Sequence, residues 1–260
     1  MSLAERYDVF LFDLDGVMYR GSEPISGAPE AVARLRSLDK RLAFVTNNSS
    51  RTPEAVAATL TRVGIPADAD EVVTSALVTA DLLASRGIEE AFVVGEDGIV
   101  DALRARGIRV VEGDPDRVDS VVVGLDRHLD YAKLTRAAIL VERGAALVAT
   151  NADASFPAPE GVWPGAGALL AAIETTAGVR AEVVGKPHPP LLRAALDRAG
   201  GGRPLLIGDR LDTDIAGAAA LGWDSLLVLT GISTRGDLAT ASVAPTFVGD
   251  DLAALFAASG

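Results

Sequence analysis

Tyr7-Asp8-Val9-Phe10-Leu11-Phe12 passes without a break into Asp13-Leu14-Asp15-Gly16. A short, nearly continuous apolar run of this kind reads as a strand buried on both faces of a parallel sheet. Alternate strand residues share a face, so Asp13 and Asp15 are expected to project side by side from the strand's carboxyl end while Leu14 faces the other way. Ligands of open α/β sheets bind at that end. Two carboxylates so close cost free energy unless a cation or a shared proton relieves them. Gly16 permits a tight turn and lets its N–H approach an anion. From the tetrapeptide alone, a strand that simply ends in an Asp-Gly turn reads equally well.

Outward from this run the chain alternates strand and helix. Ala28 to Leu38, with Pro29 near its start and apolar residues at helical spacing, is a predicted helix. Arg41-Leu42-Ala43-Phe44-Val45-Thr46 is a predicted strand, and a helix is expected from Thr52 as N-cap, through Pro53, to a stop at Gly64. The runs EAFVVG, SVVVG, ALVAT, PLLIG and SLLVL are further strands separated by alanine-rich helical segments. The alternation predicts a parallel α/β architecture. No repeat period and no low-complexity linker divides the chain.

Three more strand ends carry polar clusters. Thr46-Asn47-Asn48-Ser49 offers small hydrogen-bonding side chains and free N–H groups suited to phosphate oxygens, or else the loop and cap of the next helix. Lys186, between Gly185 and Pro187, reads as a fixed charge facing phosphate or as a solvated surface lysine. Gly208-Asp209-Arg210-Leu211-Asp212-Thr213-Asp214 sets three carboxylates after a strand, hard oxygen ligands suited to Mg²⁺. Asp212 or Thr213 would serve as a helix cap, whereas Asp209 at the strand end reads as a metal ligand. His188 reads as a helix-start residue, and Trp163 and Trp223 as packing residues.

Composition narrows the chemistry. The 260 residues suffice for one large or two modest domains. Apolar residues make up 49% but never run to the roughly 20 that a membrane span needs. The N-terminus lacks the pattern of a secretion signal, and the absence of cysteine excludes thiolate catalysis and fits the cytoplasm. A net charge of −12 disfavours nucleic acid polymers and anionic membranes. With 2 histidines, a zinc site built on imidazoles is hard to assemble.

In this order and context, DLDG, TNN, GKP and GDRLDTD resemble the four signatures of the haloacid-dehalogenase-like phosphatases. More narrowly they resemble the NagD-type branch with its 4-nitrophenylphosphatases and glycerol-phosphate phosphatases. Asn151-Ala152-Asp153 and the segment Gly161 to Ala168 look like that branch's return from cap to core. The resemblance implies a Rossmann-like parallel-sheet core, residues 1–74 and 183–260, with a smaller α/β cap inserted over 75–182 and His128 a candidate for that cap's inner rim. It implies Asp13 as nucleophile forming an aspartyl-phosphate, and Asp15 as acid and base. Mg²⁺ would be held by Asp13, the Asp15 carbonyl and Asp209, with Asp214 orienting Lys186 or a metal-bound water. Thr46, Asn47 and Asn48 would bind phosphate, and Lys186 would neutralise developing charge. The expected substrate is a small phosphate ester, glycerol phosphate or sugar phosphate ahead of nucleoside monophosphate, and a homodimer through the cap is left open. Two rivals remain: a mutase that passes the phosphoryl group to an alcohol, against which the cap position tells, and a phosphometabolite sensor, which would need neither Asp13 nor Asp15.

Overall fold

The computed structural model describes residues 1–158 and 160–257. The chain forms two compact units. One comprises Met1–Thr46, Pro53–Val73 and Lys186–Gly260, the other Asn47–Thr52 and Thr74–Gly185.

The first unit is built on a six-stranded sheet in the order Phe247–Gly249, Asp224–Val228, Pro204–Gly208, Val9–Phe12, Arg41–Thr46, Val72–Thr74. Val9–Phe12 lies between two parallel partners, with Phe12 opposite Ile207 on one side and Phe44 on the other. All four of its residues are buried, which is why the run is continuously apolar instead of alternating. Phe10, Phe12 and Phe44 stack at centroid distances of 6.5 and 6.2 Å. Helix Ala28–Ser37 buries Ala28, Ala31, Val32 and Leu35, one apolar stripe at the i, i+3, i+4, i+7 spacing. Burial of Val32 and of Leu35 stabilises the fold by about 1.5–3 kcal/mol each. Helix Pro53–Arg62 buries Val56, Ala57 and Leu60. It closes where the Ile65 N–H returns to the Leu60 carbonyl across Gly64, whose φ of 86° needs glycine.

The second unit carries a five-stranded sheet in the order Glu182–Val183, Ala146–Ala149, Ser120–Val123, Glu90–Val94, Arg109–Val110, every neighbour parallel. Phe92, Val94, Val121, Val123, Leu140 and Ile173 lie in its core. Helix Ala166–Ala177 starts at Gly165, where a Cβ would collide with the Asp153 carbonyl, so Pro164 to Gly167 is a turn into a helix. The architecture is α/β, a Rossmann-like parallel-sheet unit with a second α/β unit inserted into it.

Several elements depart from the sequence reading. The strand expected at Ser225 starts at Asp224. The edge strands Val72–Thr74, Arg109–Val110, Glu182–Val183 and Phe247–Gly249, of two or three residues each, are too short to show a period. Two hairpins, Tyr19–Arg20 with Glu23–Pro24 and Ser155–Ala158 with Gly161–Pro164, were not foreseen. Trp163 sits on the second of these and meets Phe156 edge to face at 5.8 Å while staying 38% exposed; it packs on one ring and not into a core. Among the described residues no helix is long and apolar enough to cross a membrane.

Candidate active site

Strands Pro204–Gly208, Val9–Phe12 and Arg41–Thr46 are neighbours. Their carboxyl ends therefore set Asp209, Asp13 and the Val45-Thr46 peptide side by side within the first unit. Lys186, 2% exposed, joins them just before helix Pro189–Arg198. Its ammonium donates to Asp13 Oδ1 at 2.5 Å, to Asp214 Oδ1 at 2.7 Å and to the Val45 carbonyl at 3.4 Å. The solvated-surface reading of Lys186 is thereby excluded.

After Gly208 the chain makes a π-helical turn, Leu211–Ile215, in which the Ile215 N–H returns to the Arg210 carbonyl five residues back at 3.2 Å. This turn folds Asp214 back against Gly208, where any Cβ would overlap the Asp214 carboxylate. Asp214 Oδ2 accepts the Arg210 N–H at 3.2 Å. Of the three carboxylates in this motif, Asp209 and Asp214 turn inward, whereas Asp212 is exposed and paired with the Arg210 guanidinium at 2.7 Å. Arg210 thus holds its own loop closed.

Ligand oxygens of Asp13, Asp209 and Asp214 lie within 4.8 Å of one another. Both Asp214 oxygens are engaged by Lys186 and Arg210. Asp209 differs, because Oδ2 accepts the Ile232 N–H at 2.7 Å while Oδ1 is buried with no hydrogen-bond partner. A buried anionic oxygen without a donor is costly, and a cation is the partner that would satisfy it. Three carboxylates facing one ammonium leave a formal charge of −2, which a divalent ion cancels. The donor set, all oxygen and dominated by carboxylate, fits Mg²⁺.

The electrostatics follow from this crowding. Burial pushes the Asp13 carboxyl well above the usual carboxylate range; the Lys186 charge opposes it, and Asp214 and Asp209 add to it. Burial, then the Asp214 charge, pushes Asp209 up to about 6 against the pull of the Ile232 N–H. For Lys186 burial pulls the pKa down, but Asp13 and Asp214 together outweigh it, so the ammonium holds its proton more tightly than a free lysine.

The other sequence candidates are placed as follows. Thr46 is buried at the end of its strand. Asp15 is exposed and is not one of the three carboxylates gathered within 4.8 Å; the next residue, Gly16, donates its N–H to the Tyr19 carbonyl at 2.8 Å. The strand itself ends at Phe12. Asn47 and Asn48 belong to the second unit. The Asn47 amide donates to Asp153 at 3.2 Å, and the Asn48 side chain accepts the Ser50 N–H at 3.0 Å. His128 is also in the second unit, its main-chain N–H donating to Asp126 at 2.9 Å. His188 occupies the N-cap position of helix Pro189–Arg198.

Sequence reasoning passed over the segment Thr230-Gly231-Ile232-Ser233, which follows strand Asp224–Val228 and holds Asp209. The signal that could have found it is a Thr-Gly pair immediately beyond a strand's carboxyl end, the same context as Asp15-Gly16.

A parallel sheet that gathers aspartates and a buried lysine at its carboxyl edge defines an α/β enzyme with a carboxylate-centred, metal-fitting site. Residues 10–109 match the family model "Haloacid dehalogenase-like hydrolase", and residues 183–255 match a second, "HAD-hydrolase-like" model. The D-glycerol 3-phosphate phosphatase of Mycobacterium tuberculosis is 40% identical over 98% of this chain and 72% of its own length. The acid sugar phosphatase of Staphylococcus saprophyticus is 39% identical, over 95% of this chain and 96% of its own. The crystal structure of the mycobacterial glycerol phosphate phosphatase in complex with magnesium superposes with a TM-score of 0.92 at 39% identity, covering 98% of this chain and 78% of that one. The chain belongs to the haloacid-dehalogenase-like hydrolases and falls among the phosphatases of that family.

Proposed function

We propose that this chain is a Mg²⁺-dependent phosphomonoester hydrolase acting on small phosphorylated metabolites, with residues 1–74 and 183–260 as the catalytic core and the 75–182 insertion selecting the leaving group. The observation that carries the reading is the carboxylate cluster itself: Asp13 held by Lys186 at 2.5 Å, beside an Asp209 oxygen that is buried without a partner. Asp13 and Asp209 would hold the ion, and the Asp15 main-chain carbonyl would complete the protein ligands as the family resemblance implies. Bound Mg²⁺ would offset the carboxylate charge and draw electron density from phosphorus.

The residues divide the work. Lys186 keeps Asp13 oriented and supplies positive charge where phosphoryl charge develops, while Asp214 fixes the lysine. An Asp13 oxygen bonds to phosphorus as the ester P–O bond breaks, and Asp15 gives a proton to the departing alkoxide. Water, yielding its proton to Asp15, then attacks phosphorus, frees Asp13 and releases inorganic phosphate. The exposure of Asp15 suits a group that exchanges protons with solvent and leaving group in turn. Thr46, buried at the end of its strand, binds phosphate oxygens in this reading, and Asn47 and Asn48 are included in that role on resemblance.

Glycerol phosphate and sugar phosphates are the favoured substrates, because two of the relatives bear those names; nucleoside monophosphates rank below. The net charge of −12 favours small esters over anionic polymers and membranes. The absence of cysteine fits a cytoplasmic enzyme. A homodimer through the 75–182 insertion belongs to the same proposal, supported by the exposed Tyr131 and Val162 side chains there and checked by light scattering. The primary test is phosphate release from 4-nitrophenyl phosphate with and without Mg²⁺. Turnover that requires the ion is expected. Tight binding of phosphate esters without release would favour a sensor, and transfer to an added alcohol in place of water would favour a mutase.

A further inference from the structure

Asp209 is held by a segment to which no role has so far been attached. Ile232 donates its N–H to Asp209 Oδ2 at 2.7 Å, and Ser233 donates its N–H to the Asp209 main-chain carbonyl at 3.0 Å. The Ser233 hydroxyl accepts the Leu211 N–H at 3.1 Å, which ties the same segment to the turn that carries Asp214. Thr230 donates its hydroxyl to the Gly16 carbonyl at 2.6 Å, and the exposed Arg20 donates to the Thr230 carbonyl at 2.7 Å. The segment is therefore fastened to both loops that bear the carboxylates.

Its approach to Asp209 is as close as backbone can come. A Cβ on Gly231 would fall inside the van der Waals envelope of Asp209 Oδ2, Cβ and Cγ. A Cβ on Gly16 would lie 2.7 Å from the same Oδ2 and 3.0 Å from the Gly231 Cα. Two glycines thus crowd against the Asp209 carboxylate, one of its oxygens occupied by an N–H and the other, Oδ1, left buried and unpartnered.

We propose that Thr230–Ser233 is a positioning element for the metal: it consumes Asp209 Oδ2 and so compels Asp209 to offer the ion a single oxygen. The inference rests on the metal reading of the proposed function. Its chemical consequence is selectivity. Mg²⁺ takes short, single-oxygen carboxylate bonds in an octahedral shell, whereas Ca²⁺ gains from chelation by both oxygens of a carboxylate. An Asp209 that cannot chelate withholds that gain from Ca²⁺. Gly231 keeps the carboxylate where the Ile232 N–H can reach it, and the Thr230 hydroxyl keeps the segment in register with Gly16.

The test measures metal binding without substrate, by titration calorimetry with Mg²⁺ and with Ca²⁺, on the wild-type protein, Gly231→Ala, Thr230→Val and Gly236→Ala. Loss of a group that orients a metal ligand typically costs about 10- to 100-fold in affinity, and a loss of that size for Mg²⁺ is expected in Gly231→Ala. Thr230→Val should show a smaller loss in the same direction. In both, Ca²⁺ affinity should fall less than Mg²⁺ affinity, narrowing the preference. Gly236→Ala, whose Cβ would meet only the Thr234 hydroxyl at 3.5 Å, should bind as wild type does. Raised Mg²⁺ should restore much of kcat in Gly231→Ala, a rescue that general loosening of the fold would not yield. If Gly231→Ala does not fold, Thr230→Val alone decides. Mg²⁺ affinity within twofold of wild type in the folded variants would overturn the inference and leave the proposed function standing. A wild-type protein that binds no Mg²⁺ would overturn both.

Discussion

Remove the metal, and the stability of this protein should fall as the pH rises from 5 to 7.5. Asp209 has its pKa pushed from the ordinary 3.8 to about 6 in the folded state, by burial and by the Asp214 charge. A group whose folded pKa is raised stabilises the fold while it keeps its proton. That contribution is complete below the unfolded pKa and is lost as pH climbs through the folded one. The full shift of about two units is worth about 3 kcal/mol at about 1.4 kcal/mol per unit, and about half of it, about 1.4 kcal/mol, is lost between pH 5 and pH 7.5. Asp13 shifts in the same direction, chiefly through burial, and adds to the loss. Asp224, Glu96 and Glu182 have lowered pKa values, through hydrogen bonds from Tyr7, Arg127 and Arg86 respectively. Their contributions have the opposite sign and vanish only as pH falls below the ordinary carboxylate range, outside the measured window. Mg²⁺ takes the place of the proton, so the profile should flatten when it is added. Urea unfolding followed by circular dichroism, at half-unit steps of pH in EDTA and in excess Mg²⁺, measures the difference. Asp209→Asn in EDTA removes the titrating group and should show a much shallower decline. Equal slopes for wild type and Asp209→Asn in EDTA would refute the placement of the buried charge.

Asp13→Asn should abolish turnover while retaining phosphate-ester binding, and should weaken Mg²⁺ because an anionic ligand is lost; rapid-quench and calorimetric measurements on verified protein check both. Asp15→Asn should slow hydrolysis of alkyl phosphates by about 10²–10⁴-fold, the usual worth of a general acid, and nitrophenyl phosphate much less, since nitrophenolate leaves without a proton. Equal losses on the two would assign Asp15 to the water step or to structure. Across glycerol 3-phosphate, hexose phosphates, UMP, pyridoxal phosphate and a phosphopeptide at one ionic strength, kcat/KM should be highest for the first two classes. A phosphopeptide that ranks first would sink the small-ester reading.

Much of the fold is legible in local pattern, because periodicity is a property of neighbouring residues. Val9–Phe12 is apolar at every position since both its faces are covered, and Ala28–Ser37 carries its buried residues on one stripe. The candidate aspartates and Lys186 are legible for a related reason: polar groups massed at the carboxyl ends of buried strands have few structural uses. What the sequence leaves open is which of them meet. Position at the strand end singles out Asp209, and resemblance alone ties Asp214 to Lys186; the π-helical turn Leu211–Ile215 is what brings Asp214 to Lys186 and leaves Asp212 to solvent. Asn47 finds Asp153 across 106 positions, and Asp209 finds the Ile232 N–H across 23. The course of the chain after a strand ends, as at Asp15-Gly16, depends on turn geometry that no period encodes. Sequence thus determined the elements and the kind of chemistry. Tertiary structure alone decided which Asp209 oxygen accepts an N–H and which is left without a partner, because that choice is made by backbone arriving from elsewhere in the chain.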